Sequence, residues 1–428
     1  MQIQGEYSLE QSTSVTLFFR RYINAMAIFF PIASFLVIPS VQGTTIVTVM
    51  SGLLFVMLIA LPAGANKWLY LKELSVFLAI FLVFSVTSQF INLVYEIRLD
   101  ESIVLVNRGG VLDYFYRTSH ITQSLYLLFA ILIYLFIKYY SDESVIKYIY
   151  WGIRLLCFYG IYEVLFFLIM GRTGDFIVNR KFGDVDASFS QKVVVAGLHI
   201  LRMKSYTGEP SMFTFTVFPF WALTYVLNRK FDKVLTFGCL ALTFSTTAYF
   251  AMGMFHTLWF LYKGKYKQVI YVFAFIFVLL AMSQLDAFRD KIAGIYEFVF
   301  GNKISGNSSS SQSRGGNIAT HIAYWTKLNG WSKIFGIGFG YIRSTDFFTT
   351  LLVNNGLLGL LVFSGFFFKS FKLGLTNKDL KFCYFTGMIL LFFILMATVP
   401  EFAYPSMWIY LALGYVWKNA EKMQTYER

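Results

Sequence analysis

The sequence predicts an all-α polytopic integral membrane protein with about twelve transmembrane helices. Three observations lead to this fold class. Of the 428 residues, 57% are hydrophobic and 20% aromatic, while only 14% are charged, which lies outside the composition of soluble domains. The apolar residues form runs close to the ~20 residues that a helix needs to cross the hydrocarbon core. Lysine and arginine residues cluster in alternate connections between these runs.

The predicted spans follow the apolar runs in chain order. They are 22–40, 45–62, 73–93, 119–138, 148–170, 211–228, 234–247, 249–262, 268–284, 348–368, 382–399 and 403–417. The seventh and eighth spans share one apolar interval, which is interrupted by Ser245-Thr246-Thr247. Basic residues flank this interval at both ends. We expect two short, tilted or partly re-entrant helices there, because both flanks carry the same charge bias.

The Lys and Arg bias predicts the orientation. The clusters begin with Arg20-Arg21 before the first span, recur after every second span, and end at Arg428. Together they hold more than half of the 36 basic residues, and all fall on one side of the predicted membrane. Because short basic loops stay in the cytoplasm, both termini are predicted to be cytoplasmic.

The remaining composition predicts one continuous membrane domain over 1–428. We find no internal repeat and no soluble domain, and no cleavable signal peptide is expected because the first apolar run has full span length. Cys157, Cys239 and Cys383 all lie inside predicted spans without metal-ligand spacing. They are predicted to be buried thiols, with no disulfide framework.

Two long connections are predicted to face outward, and both carry more Lys and Arg than Asp and Glu. The first, 171–210, contains Arg172, Arg180 and Arg202, which are candidates for binding an anionic substrate. Residues 190–203 are predicted to form a helix on the membrane surface, with Lys192, His199 and Arg202 on one face. This face either contacts an anionic ligand or places basic side chains over lipid headgroups.

The first long loop ends at Gly208-Glu209-Pro210-Ser211, where the sixth span begins. Pro210 suits a first helical turn and Ser211 suits a cap. Glu209 has two interpretations. It complements the helix dipole, or it is a catalytic or sugar-binding carboxylate beside the loop arginines.

The second long loop, 285–347, contains Arg314-Gly315-Gly316-Asn317 before a predicted amphipathic helix. Asn317 is expected to cap that helix. A glycine pair at a helix N-terminus beside an arginine is typical of a phosphate site, although a solvated basic loop has the same composition. Farther on, Gly336 to Gly340 lacks the context of a dinucleotide site and predicts a close-packed turn. Asp346 follows it, either as a first-turn acid or as a base.

Charged residues are rare inside the predicted spans, and Arg154 and Glu163 are the exceptions that we single out. Intramembrane charges are functional candidates. Arg154 is close enough to the cytoplasmic end to extend to the surface, whereas Glu163 is predicted to lie deeper.

In the order of its motifs the chain resembles the bacterial O-antigen polymerases (Wzy type), within the O-antigen ligase and polysaccharide polymerase superfamily. The resemblance covers the topology of most of the chain. Five features carry it, namely Arg202 before Gly208-Glu-Pro-Ser211, Ser313-Arg314, Phe335-Gly-Ile-Gly-Phe-Gly340, Asp346 and Asn355-Gly-Leu-Leu-Gly359.

The resemblance implies a GT-C-like membrane fold in the bacterial inner membrane, with two long periplasmic loops that carry short amphipathic helices. It implies polymerisation of undecaprenyl-pyrophosphate-linked oligosaccharides, with Arg202 and Arg314 on the pyrophosphate and neither metal nor cofactor. Related ligases carry a histidine where this chain has Asp346, so the resemblance favours a polymerase.

The chemistry of such a transfer agrees with the residue types in the two loops. Arginines stabilise a leaving pyrophosphate, and a carboxylate or imidazole accepts the proton of the acceptor hydroxyl. Asp346, Glu209 and His199 are the candidates, in that order. Tyr206 and Tyr324 suit sugar stacking, or they anchor the chain at the membrane interface.

Two other functions remain open from the sequence alone. An O-antigen ligase would use a similar fold, and a transporter or flippase of lipid-linked sugars would share the span count. The predicted partners are the lipid-linked oligosaccharide and membrane lipid, with a chain-length regulator protein as a further candidate. Nucleic acid is not among them.

Overall fold

The computed structural model describes residues 14–106, 117–179, 192–271 and 309–426, apart from positions 40, 42, 62, 101, 196 and 197, together with positions 274 and 278. Most of the ninth predicted span, 268–284, and part of each long loop (180–191, 196, 197 and 285–308) lie outside these ranges. The described elements are α1 Ser14–Phe29, α2 Ile46–Ala60, α3 Ala65–Val94, α4 Thr118–Tyr140, α5 Ser144–Met170, β1 Lys192–Val195, β2 Leu198–Leu201, α6 Pro210–Leu223, α7 Lys230–Leu242, α8 Thr246–Tyr262, α9 Ser309–Lys327, α10 Gly330–Phe335, α11 Phe347–Phe367, α12 Lys378–Thr398 and α13 Pro405–Tyr426.

Five described helices are long and apolar enough to cross a membrane by length and composition: α3, α4, α5, α12, and α11 with the 3-10 turn that follows it. This agrees with the predicted all-α membrane protein. The interval 234–262 forms two short helices, as expected. With 13 residues, α7 extends over only about 20 Å, less than the ~30 Å of the hydrocarbon core.

α6 lies at the centre of the bundle, and each of its residues from Pro210 to Leu223 is buried. It packs against α12, α7, α8 and α13, while α4 packs against α13 and α1 against α5. The three cysteines are free and buried, as predicted. We call the end of the bundle where α6, α11 and α13 begin the loop face, and the other end the opposite face.

The first predicted span, 22–40, is wrong at its C-terminal end. α1 ends at Phe29, two residues before Pro31. Proline has no amide hydrogen and restricts the residue before it, so the helix stops there. The next residues are irregular but ordered, since the Ala33 and Ser34 amides donate to the Tyr206 carbonyl at 3.0 and 2.8 Å. Hydrophobicity alone therefore overestimated the length of this helix.

The predicted surface helix over 190–203 is also wrong. β1 and β2 form an antiparallel hairpin with Lys192 opposite Leu201 and Val194 opposite His199. The Val193-Val194-Val195 run explains the difference, because branched side chains lower helix propensity and favour strands. Lys192 and His199 are both exposed on this hairpin.

The capping prediction for the second loop is wrong as well. α9 begins at Ser309, so Arg314, Gly315, Gly316 and Asn317 lie inside the helix. Residues that were expected to leave free amides at a helix start are helical instead. The phosphate site predicted from that glycine pair loses its structural basis.

Candidate functional site

The entrance of α6 forms one side of the loop face. The 3-10 turn Ser205–Thr207 precedes it, and Gly208 then adopts a φ of 84°, a conformation that favours glycine. Glu209 is extended and occupies the N-cap position, but its side chain accepts no capping bond from a helix amide. The Ser211 hydroxyl donates to Glu209 Oε2 at 3.4 Å. Glu209 is half-buried, so its carboxylate is accessible from the loop face.

Tyr206 holds this entrance in place through its ring and its backbone carbonyl. Its ring is buried and stacks on Tyr159, with ring centroids 3.8 Å apart and planes 11° from parallel. Its carbonyl oxygen accepts the two amide hydrogens from the irregular segment after α1. The ring predicted to stack on sugar therefore already has an aromatic partner on one face.

Arg202 contacts the C-terminal end of α7. Its Nε donates to the Thr243 carbonyl at 3.0 Å and its Nη2 to the Phe244 carbonyl at 3.1 Å. The neighbouring Met203 amide donates to the Leu242 carbonyl at 3.0 Å. A cation is favoured here, because the carbonyls that end a helix carry partial negative charge. The guanidinium is thus held at the turn between the two short helices, close to the loop face.

A buried group of charges lies beneath the same turn. Lys204, 3% exposed, pairs with Asp175 and lies 3.9 Å from Glu163 Oε1. Charges this far from water need partners of opposite charge, because an unpaired buried charge loses its hydration without compensation. The sequence singled out Glu163 but not Lys204. The cluster connects α5 to the chain segment that leads into α6.

Asp346 starts α11 on the other side of the loop face. One carboxylate oxygen accepts from the Thr349 amide at 2.7 Å, and the other accepts from the Thr349 and Ser344 hydroxyls at 2.8 and 3.0 Å. The residue is only 2% exposed. These contacts make Asp346 an N-cap whose acceptor positions are largely occupied.

His321 of α9 adds to the hydrogen bonds around Asp346, Ser344 and Thr349, and we call these four residues the Asp346 network. His321 was not among the residues predicted from the sequence. Its Nδ1 donates to the Asn317 carbonyl at 2.5 Å, and its Nε2 accepts from the Val104 amide at 3.2 Å. Ser344 Oγ lies 3.4 Å from Nδ1 and links the ring to Asp346. Burial lowers the pKa of His321, against the opposing effects of the Asn317 carbonyl and Asp346. Because Nε2 accepts a bond from the Val104 amide, this contact also requires the neutral ring. These contacts could not be predicted from the sequence, because a single histidine on an apolar helix face has no spacing that relates it to Val104 or Ser344.

α11 is broken at Gly356, which has φ 66° and ψ −170°. A break inside an apolar helix releases carbonyls that need donors. Here the Ile337 amide donates to the Val353 carbonyl at 3.0 Å and the Gly338 amide to the Asn354 carbonyl at 2.8 Å. The glycine-rich turn before α11 thus replaces the helical bonds that the break removes.

The glycines at this contact are required by geometry. Gly336, Gly338 and Gly340 all have positive φ, as the prediction of a close-packed turn requires. A Cβ on Gly356 would collide with the Ile334 carbonyl, and one on Gly336 with the backbone of α11. The turn and the broken helix therefore form one rigid unit.

The connection 399–404 between α12 and α13 joins the two sides of the loop face. Glu401 pairs with Arg343, whose side chain is 41% exposed while that of Glu401 is 10% exposed. Tyr404 donates through its hydroxyl to the Thr207 carbonyl at 3.4 Å, beside the α6 entrance. No sequence pattern indicates this ion pair, because its partners lie far apart in the chain.

Ring contacts reinforce the same connection. Phe402 packs against Phe339 of the glycine-rich turn, with centroids 5.0 Å apart, and against Phe347 of α11 at 6.2 Å. The entrances of α6 and α11 are therefore held by one short turn. Glu209, Arg343, Glu401 and the Asp346 network belong to one contiguous region.

The other predicted site residues fall in several places. Arg172 and His199 are exposed, and neither is described in contact with this region. Tyr324 is buried, and its hydroxyl donates to the Arg98 carbonyl at 3.1 Å. Arg180 lies outside the described residues, and so does the side chain of Arg314. The predicted meeting of Arg202 and Arg314 on one pyrophosphate stays a prediction.

Within the described ranges, no group of three His, Cys, Asp or Glu side chains is placed to hold a metal ion. No protein-family model matches the chain. A search of curated proteins likewise gives no significant match.

Proposed function

We propose that the protein is a polysaccharide polymerase of the bacterial inner membrane that joins undecaprenyl-pyrophosphate-linked oligosaccharides at the periplasmic face. One observation carries the proposal. The connection 399–404 brings the Gly208-Glu209-Pro210-Ser211 entrance and the Gly336 to Asp346 segment together. These are the separate motifs on which the resemblance to Wzy-type polymerases depends.

The chemistry needs two kinds of group at this place. The acceptor hydroxyl oxygen attacks the anomeric carbon, the bond from that carbon to the pyrophosphate oxygen breaks, and the hydroxyl proton passes to a base. Cations must stabilise the leaving pyrophosphate. Arg202 and Arg343 lie on the two sides of the region, and guanidinium groups bind such oxygens in pairs.

The geometry favours Glu209 as the base over Asp346. A base must come within hydrogen-bond distance of the hydroxyl that it deprotonates. Asp346 is buried and its oxygens accept bonds from Ser344 and Thr349, whereas Glu209 is half-buried and has a weak contact to Ser211. In this proposal Asp346 positions the start of α11.

The test is polymerisation by purified protein supplied with the lipid-linked repeat unit. Wild type should give a ladder of products on a gel. Glu209→Gln should remove the ladder with a loss of about 100-fold or more, while Asp346→Asn, which keeps a capping oxygen, should retain most of the turnover. Loss of the ladder in Asp346→Asn alone, with substrate still bound, would return the role to Asp346.

The same assay separates the alternative functions. A ligase would transfer the glycan once to a different acceptor and would give no ladder. A flippase would move the intact lipid-linked unit between leaflets of a vesicle without forming a glycosidic bond. Either outcome would overturn the polymerase assignment.

A further inference from the structure

A second feature of the loop face is a groove between residues 95–100 and the end of α9. Its volume is about 780 Å³, within the range of sites that hold small ligands. The groove lies beside the region proposed for the reaction. Its lining residues are Tyr95, Ile97, Arg98, Leu99, Asp100, Tyr324, Lys327, Leu328 and Asn329.

The lining combines a flat aromatic ring with charges of both signs. Tyr95 is 49% exposed, and Arg98, Asp100 and Lys327 are exposed along the groove. The Ser102 amide, which donates to Asp100 Oδ1 at 2.9 Å, and the nearby Lys327 hold the pKa of that carboxyl below its usual range. The groove therefore offers an ionised acceptor and two cationic donors beside an aromatic face.

The walls of the groove are fixed by packing. Ile97, Leu99 and Tyr324 belong to a small hydrophobic cluster separate from the main core. The Tyr324 hydroxyl donates to the Arg98 carbonyl at 3.1 Å, and Asn329 caps α10 through the Ser332 amide at 2.9 Å. Rigid walls lower the entropy lost on binding.

The groove and the proposed reaction region are connected through α9 and through backbone bonds. Along α9 the chain rises by about 9 Å from His321, which contacts the Asp346 network, to Lys327 in the groove. The Arg343 amide donates to the Val104 carbonyl at 3.1 Å, and Leu105 pairs with Ile342. The residues that follow this wall in the chain are thus bonded to the segment that carries Arg343.

We propose that this groove binds the sugar chain of the lipid-linked substrate, at sugar units a few positions away from the glycosidic bond that is formed. The inference rests on the proposed function. Sugars present hydroxyls that bond to carboxylates and cations, and apolar C–H faces that pack on aromatic rings. A lipid tail would be matched by an apolar groove, and a phosphate by cations without a carboxylate.

The experiment measures binding of a soluble glycan to the purified full-length protein. The probe is an oligosaccharide released by mild acid from the surface polysaccharide of the source bacterium, titrated in a calorimeter. Tyr95→Ala and Asp100→Asn should each weaken binding roughly fivefold to tenfold. Tyr95→Phe, which keeps the ring, should bind like wild type.

A matched control is Tyr266→Ala, because Tyr266 is 64% exposed but lies beyond α8 toward the opposite face. It should leave glycan binding unchanged. Wild-type affinity in both Tyr95→Ala and Asp100→Asn would overturn the groove, and so would a wild-type protein that binds no glycan at millimolar concentration.

The failure of the groove and the failure of the proposed function are distinguishable. If wild type makes a product ladder but the groove variants bind glycan normally, only the groove is wrong. If wild type binds glycan through Tyr95 and Asp100 but forms no glycosidic bond, the polymerase assignment is wrong and the binding site stands. Where both hold, the groove variants should give a shorter ladder.

Discussion

The two faces of the bundle use charged residues differently. At the opposite face, ion pairs join regular helices to one another: Lys138 bonds Glu73 at 2.5 Å, Arg154 bonds Asp232 at 2.6 Å, and Lys263 bonds Asp379 at 2.5 Å. At the loop face, charges bind irregular backbone, join two irregular connections as Arg343 and Glu401 do, or are buried. Arg202 contacts carbonyls and Asp346 contacts a helix-initiating amide.

The difference indicates which face depends on its charged residues for its backbone structure. An exposed pair such as Lys263–Asp379 contributes at most about 1 kcal/mol, and its loss leaves the helices in place. The loop-face contacts instead fix turns, a broken helix and half-buried side chains at defined positions. The proposed transfer reaction would require preorganised polar groups of this kind.

The largest effect is expected where a substitution breaks the irregular backbone of the loop face. Gly356→Ala should cost more than about 4 kcal/mol, because it combines a left-handed φ with a collision against the Ile334 carbonyl. We expect little folded protein, measured by fluorescence-detected size-exclusion chromatography after detergent extraction.

The matched control lies in the same helix. Gly365 has open space where a Cβ would be placed, so Gly365→Ala should be neutral or should stabilise the helix by up to about 1 kcal/mol. Equal yields of folded Gly356→Ala and Gly365→Ala protein would show that the break at Gly356 is dispensable.

A smaller but clear effect is expected for the buried charge cluster. Lys204→Met leaves Asp175 and Glu163 without their cation, which should lower the free energy of unfolding by about 3–5 kcal/mol. Lys263→Met at the opposite face should cost less than about 1 kcal/mol. Thermal unfolding of both purified variants measures the contrast, and similar costs would remove the distinction between the two faces.

The sequence predicts those parts of the structure that depend on the length of the apolar runs and on the local preferences of the backbone. The short helices of 234–262, the turn from Gly336 to Gly340 and the three buried cysteines all follow from such local signals. The end of α1 and the hairpin were missed although Pro31 and the valine run were visible. The prediction for α1 gave more weight to the apolar run than to Pro31. The prediction for 190–203 gave more weight to a helical spacing of charges than to the strand preference of valine.

Other features could not be predicted because distant residues determine them. The break at Gly356 is stable only because Ile337 and Gly338 supply donors. The Arg343–Glu401 pair joins two connections that no sequence period relates. The predicted residues Glu209 and Asp346 do lie in one region. Their different accessibility depends on contacts to Thr349 and Ser344 that only the fold defines.

The smallest expected effect is a pH dependence that arises from His321. Its pKa is lowered by burial from an unfolded value of 6.5, so the unfolded chain takes up the proton first as the pH falls below about 6.5. Stability from the neutral ring is therefore present above that pH and is lost on acidification. Between pH 7.5 and 5.5 the melting temperature should fall less in His321→Gln than in wild type. His199→Gln, which changes an exposed histidine on the hairpin, should keep the wild-type slope. If His321→Gln also kept that slope, burial would not lower the pKa of His321 in the folded protein, and the tight packing argued for this part of the loop face would be wrong.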